Sequence, residues 1–216
     1  MTTALFWFRK DLRLKDNLAW TKACESHRIH PVLILEPELI SNSGPYRRHQ
    51  FFSNVSAENL GNAYDHEFNG LDGNLIKLSD YSEKVIVVVN VASRCGYTPQ
   101  YEDLQFLWST YRSKNLVVIG VPTNNFRQEP GSNKEIKDFC ETNFGINFPM
   151  TEKINVIGNN SHPFYKWARK NYGIGAIPKW NFHKIIIGRD GKVAETFSSI
   201  TKPSSKKFLK VIENLI

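Results

Sequence analysis

Residues 85–99 read Val85-Ile86-Val87-Val88-Val89-Asn90-Val91-Ala92-Ser93-Arg94-Cys95-Gly96-Tyr97-Thr98-Pro99. The apolar, β-branched run that ends at Val91 predicts a buried strand. A polar turn carrying Cys95 follows, and then a helix-start signal, with Thr98 as the candidate cap and Pro99 in the first turn. Because a helix N-terminus stabilises a thiolate, this turn favours a reactive cysteine. From the residues alone, Cys95 is the best nucleophile candidate in the chain.

The segments around this strand predict an α/β fold. Helical spacing of apolar side chains over 99–114, followed by an apolar run over 116–121, predicts a helix and a second central strand joined by a right-handed parallel crossover. Two further helices are predicted over 132–144, where Ser132 and Glu135 form a capping-box pattern, and over 162–170.

Turn-rich segments complete the predicted topology. Residues 69–74 and 188–191 predict hairpins, the second leading into a strand over 193–197. An amphipathic helix is predicted over 204–216. This order of elements is that of a thioredoxin-like fold, with a central mixed sheet flanked by helices.

The composition excludes several classes of protein. The chain has 216 residues, and 41% hydrophobic and 23% charged residues fit a globular protein. The net charge of +7 is scattered rather than clustered, so no nucleic acid is expected as a partner. Apolar runs are too short to span a bilayer, and no membrane association is expected.

The cysteines and histidines bear on location and cofactors. Three cysteines are too few for a secreted disulfide framework, and charges within residues 1–20 do not fit a signal peptide, so a cytoplasmic location is expected. The six histidines show no metal-ligand spacing. We therefore expect no metal and no other cofactor.

Residues 1–60 have a different character from residues 61–216. Strand-like segments over 4–8 and 31–35 flank a helix-like segment over 18–27, which predicts a partial βαβ appendage. Residues 5–17 read Leu5-Phe6-Trp7-Phe8-Arg9-Lys10-Asp11-Leu12-Arg13-Leu14-Lys15-Asp16-Asn17 and resemble the start of the photolyase/cryptochrome family.

That resemblance covers only about the first 55 residues, and the helical domain that holds the family's flavin and DNA sites has no counterpart here. Two strands bury too little surface to be stable alone. We therefore expect a truncated, poorly folded fragment in which Cys24 is inert. A chromophore-binding or nucleic-acid-binding role for it is the alternative.

Four segments of the second region occur in a recognisable order. They read Asn-Val-Ala-Ser-Arg-Cys-Gly-Tyr-Thr-Pro-Gln-Tyr (90–101), Asn-Asn-Phe-Arg-Gln-Glu-Pro-Gly-Ser (124–132), Phe-Pro-Met-Thr-Glu-Lys-Ile (148–154) and Trp-Asn-Phe-His-Lys (180–184). Together they closely resemble the glutathione peroxidase family. The resemblance implies an antioxidant thiol peroxidase that reduces hydrogen peroxide or organic hydroperoxides.

By this resemblance, Cys95 stands at the family's peroxidatic position, and Gln128, Trp180 and Asn181 match the rest of its catalytic tetrad. A thiolate attacks one peroxide oxygen, and neutral N–H donors stabilise the charge that develops on the other. Taken singly, such residues are more often a core tryptophan, a turn asparagine and a solvated glutamine. The loop before Gln128 is one residue shorter than in many members, and this shortening bears on whether the Gln128 side chain reaches Cys95.

Cys140 matches the place of a second cysteine in cysteine-type members of the family. The resemblance implies that it resolves the sulfenic acid as a Cys95–Cys140 disulfide, which thioredoxin, or glutathione, then reduces. The alternative is a buried cysteine that fills the core beside Ile136 and Phe144. Oligomeric members of the family carry a longer insertion between the positions of residues 162 and 180, so the resemblance implies a monomer. A redox sensor or relay that passes oxidation to a partner protein is the alternative function.

Overall fold

The computed structural model describes residues 61–216. The predictions for residues 1–60, including the partial βαβ appendage, lie outside the described residues, and the domain division at residue 60 stays a prediction. Within 61–216, no helix is long and apolar enough to cross a membrane. The same residues contain no group of three histidine, cysteine or acidic side chains that could hold a metal ion.

A mixed four-stranded sheet forms the centre of the described region. Its strands are β3 (Val85–Val91), β4 (Leu116–Pro122), β5 (Lys184–Ile187) and β6 (Val193–Phe197), in the order β4-β3-β5-β6. β3 pairs with β4 in parallel and with β5 antiparallel, and β5 and β6 form the second predicted hairpin. The first predicted hairpin is a separate pair, β1 (Glu67–Asn69) and β2 (Leu75–Lys77).

Within residues 61–216, four α-helices accompany these strands: α1 (Gln100–Tyr111), α2 (Asn133–Phe144), α3 (Pro163–Tyr172) and α4 (Lys206–Leu215). The capping box predicted for α2 is present, because Ser132 Oγ accepts from Glu135 N and Glu135 Oε2 accepts from Ser132 N. These two bonds satisfy backbone donors that the first turn of a helix leaves unpaired.

The sheet separates two hydrophobic cores. All seven residues of β3 are buried, which explains why every residue except Asn90 is apolar and the strand does not alternate. Its odd-numbered residues pack with α1 and α4 on one face, and Ile86 and Val88 pack with α3 on the other. The predicted thioredoxin-like α/β fold is therefore confirmed.

The directions of the strands bring the sequence motifs to one edge of the sheet. β3 and β4 run in parallel, so the turn after Val91 and the loop after Pro122 leave the sheet at the same end. β5 runs the opposite way, and Lys184 at its start pairs with Val89 near the end of β3. The segment that leads into β5 therefore reaches the same edge.

Candidate active site

A compact turn holds Cys95 at this edge. The side chain is 8% exposed, and Cys95 N donates to Thr98 Oγ1 at 3.0 Å. Thr98 Oγ1 in turn donates to Ala92 O at 2.9 Å. The expectation that Thr98 caps α1 was wrong, because its hydroxyl bridges the two sides of the turn and the residue preceding the helix is Pro99.

The sulfur of Cys95 accepts a backbone hydrogen bond within its own turn. Tyr97 N donates to Cys95 Sγ at 3.4 Å. This N–H lies just before the N-terminus of α1, where partial positive charge favours an anion. The turn therefore presents the sulfur to a donor that stabilises a thiolate.

The short loop that carries Gln128 is bonded to the Cys95 turn through its backbone. Arg94 N donates to Gln128 O at 3.0 Å. The loop closes through Arg127 N, which donates to Asn124 O at 2.9 Å, with Arg127 in the left-handed region at φ 58°. Glycine is the usual residue in that conformation, so the shortened loop holds a strained arginine there.

Gln128 and Asn181 meet through their side chains. Asn181 is fully buried, and its Nδ2 donates to Gln128 Oε1 at 2.8 Å. Among residues 61–216, the Nε2 group of Gln128 makes no hydrogen bond, and Asn181 Oδ1 is buried without a partner. The shortened loop therefore places Gln128 against Asn181, and the two side-chain N–H groups of Gln128 have no acceptor among the described residues.

Trp180 lies at the rim of the same site. Its side chain is 41% exposed and packs against Phe126, with ring centroids 5.4 Å apart. Its carbonyl accepts from Asn90 Nδ2 at 3.1 Å, which attaches this segment to the end of β3. In the described part of the chain, neither the indole N–H of Trp180 nor the amides of Gln128 and Asn181 donate to Cys95 Sγ.

Glu129 belongs to the site although a charged side chain in a polar loop normally lies in solvent. It is 1% exposed, and its Oε2 accepts from Ser93 N at 2.7 Å and from Ser93 Oγ at 2.9 Å. Burial raises the pKa of Glu129, and the Ser93 hydrogen bonds partly offset that rise. The sequence pointed to Glu129 only through its place between Gln128 and Pro130 in the 124–132 segment.

Cys140 is buried on the inner side of α2. It is 1% exposed and belongs to the same hydrophobic core as Cys95, and both cysteines are free thiols. Burial raises the pKa of Cys140 to about 11, with the Tyr101 hydroxyl as a partly compensating neighbour. A cavity of about 400 Å³ reaches Cys140 between α2 and the 146–150 segment.

Comparison with known proteins gives the family of this chain. Residues 63–169 match the glutathione peroxidase family. A hydroperoxy fatty acid reductase of Synechocystis is 42% identical over 158 residues, which cover 69% of this chain and 94% of that protein. This chain belongs to the glutathione peroxidase family. A glutathione peroxidase-like peroxiredoxin of Schizosaccharomyces pombe is 43% identical over 148 residues, 67% of this chain and 93% of the relative.

Solved structures place this glutathione peroxidase family member in the same fold. The crystal structure of Trgpx in its apo form has a TM-score of 0.56 and 34% identity, covering 72% of this chain and 95% of that one. A thioredoxin family protein of Chlorobium tepidum, 14% identical with a TM-score of 0.54, shares the fold. Residues 4–70 match the DNA photolyase family. The chain is a peroxidase of the oxidoreductase class.

Proposed function

We propose that this glutathione peroxidase family member is a thiol peroxidase in which Cys95 reduces hydrogen peroxide or organic hydroperoxides. The observation that carries the proposal is the hydrogen bond from Tyr97 N to a buried Cys95 Sγ, beside a loop that holds Gln128 against Asn181. A hydrogen bond from an N–H to the sulfur favours the thiolate. The amide of Gln128 supplies N–H donors for the hydroperoxide.

The first step is attack of the Cys95 thiolate on one oxygen of the hydroperoxide. The S–O bond forms as the O–O bond breaks, so the cysteine becomes a sulfenic acid and the leaving oxygen takes a proton to become water or an alcohol. In this proposal, the two free N–H groups of Gln128, oriented by Asn181, stabilise the leaving oxygen. The Trp180 indole joins them by turning inward from its exposed position against Phe126.

The second step, in this proposal, is resolution by Cys140. Its sulfur attacks the sulfenic sulfur, a Cys95–Cys140 disulfide forms, and the hydroxyl leaves as water. A thiol with a pKa of about 11 and 1% exposure is a poor nucleophile where it lies. Local opening of α2 must therefore precede the step, and the cavity beside Cys140 leaves fewer contacts to break.

We assign thioredoxin as the preferred reductant of that disulfide, with glutathione as the alternative. A dithiol protein suits an intramolecular disulfide because its second thiol completes the exchange without another collision. The name of the Synechocystis relative, a hydroperoxy fatty acid reductase, supports organic hydroperoxides as substrates here. The short connection between α3 and Trp180 supports a monomer.

Turnover of hydrogen peroxide and of a fatty acid hydroperoxide, with thioredoxin or with glutathione, tests the proposal. Wild type is expected to turn over with thioredoxin, Cys95→Ser to be inactive, and Cys140→Ser to lose thioredoxin-driven turnover while still consuming one equivalent of peroxide. The matched control is Cys24→Ser, which should behave as wild type. A fully active Cys140→Ser protein would remove the resolving role, and an active Cys95→Ser protein would remove the whole assignment.

A redox sensor is the second candidate, and the burial of Cys140 is the observation that favours it. If α2 opens slowly, the Cys95 sulfenic acid lasts long enough for a thiol of another protein to attack its sulfur, which forms a mixed disulfide and releases water. Stopped-flow measurement of disulfide formation separates the two functions. Disulfide formation slower than capture of the sulfenic acid by a partner thiol supports the sensor, and faster formation supports the peroxidase.

A further inference from the structure

Lys184 is a fully buried lysine next to the site. It begins β5, three residues after Asn181, and no part of its side chain is exposed. Within residues 61–216 no carboxylate lies within ion-pair distance of it. Burial lowers the pKa of Lys184 to about 7, partly opposed by Asp103 of α1. Lysines are rarely buried without a charged partner, so the amine of Lys184 must be stabilised by neutral hydrogen-bond acceptors.

Two hydrogen bonds satisfy the amine. Lys184 Nζ donates to Gln100 Oε1 at 2.5 Å and to Thr201 O at 2.8 Å. Gln100 is also buried, and its Nε2 donates to Ser199 O at 2.7 Å. The two side chains thus join the first residue of α1, the start of β5 and the segment after β6.

The neutral amine fits these acceptors as well as the ammonium does. A neutral lysine has two N–H groups for the two oxygens, whereas the ammonium form carries a third donor with no acceptor among the described residues. The titratable groups that bear on it are Asp103 of α1 and the adjacent His183. The contact with Gln100 therefore survives in either protonation state.

Hydrogen bonds continue from Gln100 to the sulfur. Gln100 N donates to Tyr97 O at 2.9 Å, and Tyr97 N donates to Cys95 Sγ. At its other end, Lys184 is joined through the backbone to Asn181, which binds Gln128. Lys184 therefore lies between the turn that carries the sulfur and the segment that carries the amide donors.

We propose that Lys184 is a positioning residue of the peroxide reaction. It acts through Gln100 to fix the position of the Cys95 turn relative to Asn181. This inference rests on the proposed function, because it concerns the same reaction. Lys184 touches neither reactant. Its effect is geometric: an ångström-scale displacement between a nucleophile and its transition-state donors costs up to about a hundredfold in rate.

The test measures the rate of Cys95 with two electrophiles in the full chain carrying Cys24→Ser and Cys140→Ser, so that Cys95 is the only thiol. Hydrogen peroxide needs donors for its leaving oxygen, whereas iodoacetamide needs only the thiolate. Lys184→Met is expected to slow the peroxide reaction by about tenfold or more, and alkylation by much less. Lys202→Met, at an exposed lysine nearby, is the matched control and should react as the parent protein does.

A purely structural role for Lys184 predicts a different pattern. Lys184→Met leaves the Gln100 amide oxygen unpaired, so it is expected to lower the melting temperature. Adding Gln100→Leu removes that unpaired oxygen, although Ser199 O and Thr201 O still lack their donors, and should recover part of the lost stability. If positioning is the role, the double variant stays slow with peroxide although it is folded. Recovery of the peroxide rate together with stability would refute the inference.

The outcomes also separate this inference from the proposed function. If the parent protein does not react with peroxide, the proposed function fails. If the parent reacts and Lys184→Met reacts equally fast, only the positioning role fails. An equal slowing of both electrophiles would likewise overturn it, because a loss of donor alignment slows the peroxide reaction far more than alkylation.

Discussion

Replacing Glu129 with alanine is expected to destabilise the protein and to slow Cys95 with peroxide. The buried carboxylate accepts two hydrogen bonds from Ser93, two residues before the nucleophile, and directly follows Gln128. It therefore joins the loop that carries the amide donor to the turn that carries the sulfur. Alanine removes the acceptor and leaves the Ser93 N–H without a partner.

The size of the effect follows from these contacts. Hydrogen bonds to a charged group contribute about 1.5 kcal/mol each at the low end of their range. The carboxylate also costs free energy because it is desolvated, which is the reason for its raised pKa, and the alanine variant avoids this cost. The net decrease in the free energy of unfolding is therefore about 2 kcal/mol. For a protein of this size, that loss lowers the melting temperature by roughly 4–8 °C.

Glu129→Gln is the matched control, because it keeps one acceptor oxygen and carries no charge to desolvate. Its melting temperature at neutral pH should lie close to that of wild type. Because the pKa of Glu129 is raised in the folded state, wild type loses stability as pH rises through the range just above the ordinary carboxyl pKa. The glutamine variant should not show this pH-dependent loss.

Thermal unfolding followed by circular dichroism, and stopped-flow reaction with hydrogen peroxide, measure the two effects. Glu129→Ala should unfold earlier and react more slowly, and Glu129→Gln should lie between it and wild type. An alanine variant with the melting temperature and peroxide rate of wild type would refute the role given to the Ser93 contacts.

Four further outcomes are expected. Asn181→Ala should slow peroxide reduction by about tenfold to a hundredfold, because Gln128 loses its orienting partner; an unchanged stopped-flow rate would contradict this. Cys140→Ala should let the Cys95 sulfenic acid accumulate, detectable by dimedone labelling and mass spectrometry, whereas equal labelling in wild type would argue against resolution. Burial lowers the pKa of His183 from 6.5 to about 4, so wild type should lose about 3 kcal/mol as pH falls through that interval, and urea unfolding of His183→Phe should show less of this loss. A chain beginning at Asn62 should keep near-full peroxidase activity, and a large loss would show that residues 1–61 contribute.

The elements that the sequence predicted well are those with a local signal. β3 has the predicted bounds, because a strand buried on both faces is apolar at nearly every position, with Asn90 as the exception here. The capping box of α2 and the second hairpin were also predicted, since a cap and a tight turn each depend on a few neighbouring residues.

The sequence did not predict the hydrogen bonds of three polar side chains, one of them local and two to residues far apart in the chain. Thr98 looked like a helix cap because the residues that follow it favour a helix start, yet its hydroxyl bonds within the Cys95 turn. Glu129 and Lys184 are charged residues that normally lie in solvent, and only the assembled sheet edge supplies their buried partners. Periodicity and composition carry no information about such partners.

The sequence by itself determined the kind of chemistry and the scaffold: a cysteine placed between a buried strand and a helix start, and motifs in an order that identifies the family. The tertiary structure decided which groups meet at the edge of the sheet. It paired Gln128 with Asn181, left the Trp180 ring on Phe126, and buried Cys140 and Lys184. The physical reason is that hydrogen bonding and desolvation depend on neighbours in space, which arise only when three separate segments converge.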